Sequence, residues 1–208
     1  MTDKKKKLGI LISGSGTNLQ AIIDASKDKS IPAEVALVIS DNANAGGISR
    51  AEKANIPVQT ILRKNFSSKD DFEKNIVHSL LAYEVDLVCL AGFMRIIGKI
   101  LLKNFRNKII NIHPSLLPAF PGLAAQKQAF DYGVKVSGCT VHFVDEEMDH
   151  GPIIIQKAAE VMEDDSSETL QQRILRKEHK IYPEAIKLFC ENRLKIENRR
   201  VYILPKKS

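Results

Sequence analysis

Asn111 and His113 stand two positions apart at the end of the apolar run Lys108-Ile-Ile-Asn-Ile112. Alternate residues of an extended chain point to the same side, so the amide and the imidazole can face one cleft. The segment that follows, Pro114-Ser-Leu-Leu-Pro118-Ala-Phe-Pro121-Gly122, holds three prolines and one glycine in nine positions. So stiff a loop suits a site whose groups must be in place before a ligand arrives. A lone histidine after a strand is ordinarily a satisfied structural group; the adjacent amide and the rigid loop favour a working site. A carboxylate lies farther along, Asp149 in Glu146-Glu-Met-Asp-His-Gly-Pro152. Taken alone it reads as a turn residue. A metal set of Asp149, His150 and His113 is the alternative, but the histidines follow neither helical nor fixed-loop spacing, and no metal is expected.

A second group of residues, Gly14-Ser-Gly-Thr-Asn-Leu19, lies between an apolar run and a helical pattern. Glycines let the backbone turn tightly, and N–H groups at a helix start can hold a phosphate or another anion. The third glycine of a dinucleotide fingerprint is absent, and no Gly-Lys-Ser/Thr follows as in a Walker loop. The alternative is a structural turn with Thr17 as helix cap. Asp41, at the end of the second apolar run, could meet a ribose, although an acidic turn residue is the plainer reading.

These residues need a frame. Apolar runs at Leu8–Ser13, Val35–Ser40, Val58–Ile61, Asp86–Ala91 and Lys108–Ile112 alternate with helix-length segments, among them Asn18 to about Lys27, Ile48 to Ala54, one capped by Ser67-Ser-Lys-Asp70 and ending near Tyr83, and Gly98 to Asn104. Short runs buried on both faces are strands of a mainly parallel sheet, so the fold class is α/β. Such a sheet places its ligands at the carboxyl ends of its strands, where Asn111 and His113 fall. Ser137–Val144 and Pro152–Gln156 flank a turn at Asp149-His-Gly151 and read as added antiparallel strands. A helix from Ser167 to about Asn192 follows, which Pro183 should kink or break.

At 208 residues, with no repeat or linker, the chain is expected to form a single domain, with a basic tail at 1–7 and a second tail at 203–208. The formal charge is +6, but Lys4 to Lys7 with Lys206 and Lys207 account for all of it (+6 − 6 = 0), so no nucleic-acid groove is expected. No apolar run approaches the roughly 20 residues that span a bilayer, so no membrane partner is expected. The run Leu8–Ile12 is too short for a secretory signal. Cys89, Cys139 and Cys190 are odd in number and far apart, as in a cytoplasmic protein without disulfides.

Four segments in order, Leu11-Ile-Ser-Gly-Ser-Gly-Thr-Asn-Leu-Gln20, Leu90-Ala-Gly-Phe-Met-Arg-Ile-Ile97, Asn111-Ile-His-Pro-Ser-Leu-Leu-Pro118 and Met148-Asp-His-Gly-Pro-Ile153, resemble the folate-dependent formyltransferases. The likeness runs from about Leu8 to Leu194, and Gly-x-Gly-Thr-Asn-Leu with Phe120-Pro-Gly-Leu123 is similar to the phosphoribosylglycinamide branch. It implies a Rossmann-like fold and transfer of a formyl group from 10-formyltetrahydrofolate to the amine of 5-phosphoribosylglycinamide, a step of purine synthesis, by a monomer or homodimer. In that chemistry Asn111 and protonated His113 donate to the oxyanion of a tetrahedral intermediate, and Asp149 supports the imidazolium and steers the proton to the departing folate nitrogen. The resemblance further implies that Gly16, Thr17, Asn18 and Leu19 hold the ribonucleotide phosphate and that Glu178 contacts the same substrate. Met94, Arg95, Ile96 and Ile97 would line the pterin pocket with Val144, Asp145, Glu146 and Asn111, and with Leu90 and Ile109 behind them. Lys69 stands where some members carry an arginine proposed to meet the folate tail; a solvated helix-cap lysine is the competing reading.

One segment departs from the pattern. Leu123-Ala-Ala-Gln126 lacks the His or Asp that many relatives place after Pro-Gly-Leu, so no auxiliary contact is expected there. Two rival readings remain at this point: a formyl transferase for another amine, such as a sugar nucleotide, and a non-catalytic nucleotide-binding module. Folate binding separates the module from the enzymes, and the phosphate loop separates the enzymes from each other.

Overall fold

The computed structural model describes residues 5–206. By its internal contacts the chain divides into two compact units, Met1–Ile110 and Asn111–Ser208.

In the first unit β1 (Lys6–Ile12), β2 (Ala33–Ser40), β3 (Val58–Thr60) and β4 (Leu87–Leu90) alternate with α1 (Thr17–Lys27), α2 (Gly46–Lys53), α3 (Lys69–Ala82) and α4 (Lys99–Asn104). The pairs β2 with β3, β1 with β2 and β1 with β4 are parallel. Leu8, Ile10, Leu11 and Ile12 of β1 are wholly buried, as expected of a strand covered on both faces. The cap of α3 is Ser68, whose hydroxyl accepts from Asp71 N at 3.0 Å. Helix α2 starts at Gly46, two residues before the sequence-based expectation. β5 (Ile109–His113) begins in this unit and carries the chain across the boundary, ending on His113 itself.

The second unit pairs β6 (Val136–Phe143) antiparallel with β7 (Ile153–Glu160), as the sequence implied. It also holds α5 (Ala125–Tyr132), α6 (Ser167–Cys190) and a hairpin of β8 (Leu194–Glu197) and β9 (Arg200–Ile203). α6 opens on a reciprocal capping box between Ser166 and Thr169 and buries Leu170, Ile174, Ile181, Ala185 and Ile186 against the sheet strands and α5. The α/β class, with parallel strands first and antiparallel strands in the C-terminal half, agrees with the sequence reading.

Three expectations are corrected. Of the kink or break expected at Pro183, the break is absent: α6 runs through it, the continuous buried stripe outweighing one lost backbone donor. The basic N-terminal tail is shorter than 1–7: Lys6 and Lys7 belong to β1 and pair with Asp86 and Glu84, while Met1 to Lys4 lie outside the described residues. At the other end Ile203 closes β9 and Leu204 N donates to Arg193 O, so no tail begins at 203; Lys207 and Ser208 lie outside the described residues.

Candidate active site

In the second unit Asn111, His113 and Asp149 converge. The Asp149 side chain is 11% exposed, with Oδ2 3.3 Å from His113 Nδ1 and Oδ1 3.4 Å from Asn111 Nδ2. The backbone N–H of Gly122, at the end of the Pro-rich loop, donates to Asp149 Oδ2 at 2.8 Å. One carboxylate thus ties together the end of β5, the Pro-rich loop and the β6–β7 connection. His113 Nε2 lies 2.9 Å from the carbonyl of Phe120. A carbonyl only accepts, so that ring nitrogen carries a hydrogen.

His142 completes the cluster, and sequence reasoning missed it. Its Nδ1–H donates to the Phe143 carbonyl at 2.8 Å, which leaves a lone pair on Nε2 facing Asn111 Nδ2 at 3.2 Å. Burial pushes its pKa below the ordinary 6.5, against the raising effects of the Phe143 hydrogen bond and of Asp149. A neutral, acceptor-ready His142 follows. The signal available in the sequence was strand parity: Thr140 and His142 alternate on β6.

The loop between β5 and α5 is held from beneath. Thr140 Oγ1 donates to Ser115 O at 2.7 Å and accepts from Leu117 N at 3.1 Å, and Gln156 Nε2 donates to Leu117 O at 2.9 Å. Leu117-Pro118 is cis. The β6–β7 turn closes over Gly151, where an added Cβ would meet the Phe143 carbonyl oxygen at 1.8 Å, so only glycine fits. His150 turns away from the cluster, with Nδ1 2.9 Å from Asp145 Oδ2 and Nε2 2.8 Å from Arg199 Nη1. The set Asp149, His150, His113 therefore does not come together. Val144 is half-buried and Glu146 exposed on the same connection. Glu178 is buried on α6, and with burial as the larger cause its charge helps push the Cys139 thiol up to about 12.

In the first unit Gly16 caps α1 with φ 73°, and an added Cβ would stand 2.5 Å from Gly47 Cα. Thr17 is thus the first helical residue, not the cap. Gly47 N donates to Gly14 O at 3.1 Å and fixes the loop against α2. The amides of a helix's first turn point outward along the axis and favour anions. Leu19 is fully buried and Asn18 nearly so, hence a ligand here meets backbone first. Beside this loop lies a cavity of about 570 Å³, lined among others by Ser15, Lys27, Ser49, Arg50 and Lys53. Its three cations suit an anion.

The Gly92–Ile97 segment hangs from β1: Ser13 N donates to Gly92 O at 3.1 Å and Met94 N to Ser13 Oγ at 2.9 Å. Met94 and Ile96 are 65% and 61% exposed, Arg95 is exposed, and Ile97 is buried. Leu90 and Ile109 are core residues that support from behind. Lys69 opens α3 with its ammonium 3.8 Å from the buried Glu73 carboxylate.

The sequence pattern of the formyl transferase family matches residues 6–186. The chain belongs to the formyl transferase family. It is 50% identical over 182 residues to the phosphoribosylglycinamide formyltransferase of Bacillus subtilis (strain 168), covering 88% of this chain and 93% of that one. The crystal structure of glycinamide ribonucleotide transformylase 1 from Symbiobacterium toebii matches with a TM-score of 0.95 at 55% identity, over 96% of this chain and 94% of that one. A longer relative, the trifunctional purine biosynthetic protein adenosine-3 of Drosophila melanogaster, is 46% identical over 188 residues; the match takes 89% of this chain and 14% of that protein's length.

Proposed function

We propose that the chain transfers the formyl group of 10-formyltetrahydrofolate to the amine of 5-phosphoribosylglycinamide in de novo purine biosynthesis, residues 1–208 working as one formyltransferase domain in the cytoplasm. The observation that carries this reading is the convergence of Asn111 and His113 on the Asp149 carboxylate. The B. subtilis and S. toebii relatives, each matched over most of its length, are named for formyl transfer to this ribonucleotide, which supports the acceptor.

The amine attacks the formyl carbon, and a tetrahedral carbon with an oxyanion forms. The Asn111 amide, aimed by neutral His142 and turning to the oxyanion the N–H of its long 3.4 Å contact with Asp149, and the charged imidazole of His113 stabilise that oxygen; a single preorganised donor is worth about 3 kcal/mol in the transition state. With Nε2–H toward Phe120 O and Nδ1 toward Asp149, the doubly protonated ring of His113 meets an acceptor on each side. His113 is 4% exposed, so its N–H reaches the oxyanion only when the Phe120 carbonyl yields. The carbon–nitrogen bond to the folate then breaks, and the proton lost by the amine passes to the departing folate nitrogen, with Asp149 steering it through water.

Gly16, Thr17, Asn18 and Leu19 take the ribonucleotide phosphate on their backbone, and Glu178 contacts the same substrate. Met94, Arg95, Ile96 and Ile97 receive the pterin, as do Val144, Asp145 and Glu146; Lys69 meets the folate tail. Support for the first group comes from the αL cap at Gly16 and the cationic cavity beside it. Support for the second is the pair of exposed apolar side chains on a tethered segment. The test is Thr17→Glu: a carboxylate at the helix start should raise the ribonucleotide KM by about 100-fold or more while leaving folate binding intact. Unchanged turnover at low ribonucleotide would remove the phosphate from this loop.

A further inference from the structure

The carboxylate of Asp41, directly after β2, does not behave as the solvated turn residue that its sequence position suggests. Its side chain is only 6% exposed, and Oδ2 is engaged by Arg95 Nε. Oδ1 is buried and has no hydrogen-bond partner among the described residues. The Arg95 guanidinium also lies 5.8 Å from the ring centroid of Phe72, itself buried on α3 and edge-on to Phe66 at 5.7 Å. Arg95 is thus gripped from two sides, by a charge and by an aromatic face.

Neighbours of Arg95 have no such grip. Met94 and Ile96, 65% and 61% exposed, gain little position from packing. Their backbone is set by two polar ties. One is Met94 N to Ser13 Oγ at 2.9 Å, with Ser13 O in turn accepting from Asn42 Nδ2 at 3.1 Å. The other is the Asp41–Arg95 pair, which brings the end of β2 to the same segment. A buried carboxylate with one oxygen unpartnered is costly unless its counter-charge stays in place, so the two side chains constrain each other.

We infer that Asp41 is a positioning residue for the folate side of the reaction: its carboxylate fixes Arg95, and through Arg95 holds Met94 and Ile96 out as the apolar face that receives the pterin. The inference rests on the proposed assignment of the 94–97 segment to the pterin. Asp41 touches no substrate. Its contribution is to spare the folate the cost of ordering the segment, which appears in KM for that substrate and not in the chemical step.

Steady-state kinetics of the full chain with both substrates, on wild type, Asp41→Asn, Arg95→Gln and the double variant, provide the test. Asp41→Asn keeps the shape and removes the charge. It should raise the KM for 10-formyltetrahydrofolate about tenfold, with kcat and the ribonucleotide KM within about twofold of wild type. The double variant should be no worse than Arg95→Gln alone, because the two residues act as one unit. Should Asp41→Asn fail to fold, Asp41→Ser, smaller and likewise uncharged, must show the same split. A parallel rise in both KM values, an unchanged folate KM, or additive effects would overturn the inference. Absence of formyl transfer by wild type would instead defeat the proposed function, and the two failures are told apart by that control.

Discussion

His142 keeps a lone pair aimed at Asn111 because it is neutral, and it is neutral because it is buried. The groups acting on it are Asp149, Asp145 and the Phe143 carbonyl, which favour the charged ring, and His113, which opposes it; burial outweighs them. The sign of the linkage follows. The unfolded chain takes up a proton near the ordinary 6.5 while the folded chain resists, so this residue costs no stability above that pH. Below it, stability falls with pH until the folded value is reached. Urea melts at about pH 7.5 and about pH 5.5 should show the wild type losing stability at the lower pH, and His142→Gln a shallower loss. Equal slopes would mean that His142 is not held neutral. Asn111 and His113 were legible in the sequence since strand alternation and a proline-rich loop isolate them. His142 was not, because it sits inside an apolar strand and reveals itself only when β6 brings it beside Asn111.

At the scale of elements, the β/α alternation was legible because apolar runs and helical periods differ in repeat. The β8–β9 hairpin was not: its residues are half-exposed and heavily charged, and its turn rests on Asn198 at φ 54° with no glycine to mark it. α5 escaped for a related reason. It opens at Ala124, held at φ 54° with no side-chain cap, so neither a capping residue nor a glycine announces it. The same conformation makes a prediction. An alanine in the left-handed region is strained by roughly 1 kcal/mol, and asparagine tolerates that region better. Ala124→Asn should therefore raise stability by about 0.5–1 kcal/mol in thermal or urea melts. A loss of stability would show that the alanine methyl is needed against α5.

Across the whole molecule, the two units carry different kinds of group. The first presents backbone amides at the start of α1, cations in the last turns of α1 and α2, and a tethered segment with two exposed apolar side chains after β4; the second holds Asn111, His113, His142 and Asp149 together. Membership of the formyl transferase family over residues 6–186 spans both. The proposed mechanism requires Asn111 and His113 to stabilise a developing oxyanion while Asp149 manages the proton. Single-turnover formyl transfer, followed by absorbance at saturating 10-formyltetrahydrofolate and 5-phosphoribosylglycinamide, tests it most directly in Asn111→Ala, His113→Ala and Asp149→Asn. Each variant should lose on the order of 10²–10³ in the rate of the chemical step, with binding of either substrate much less affected. A wild-type rate in Asn111→Ala or His113→Ala would contradict it.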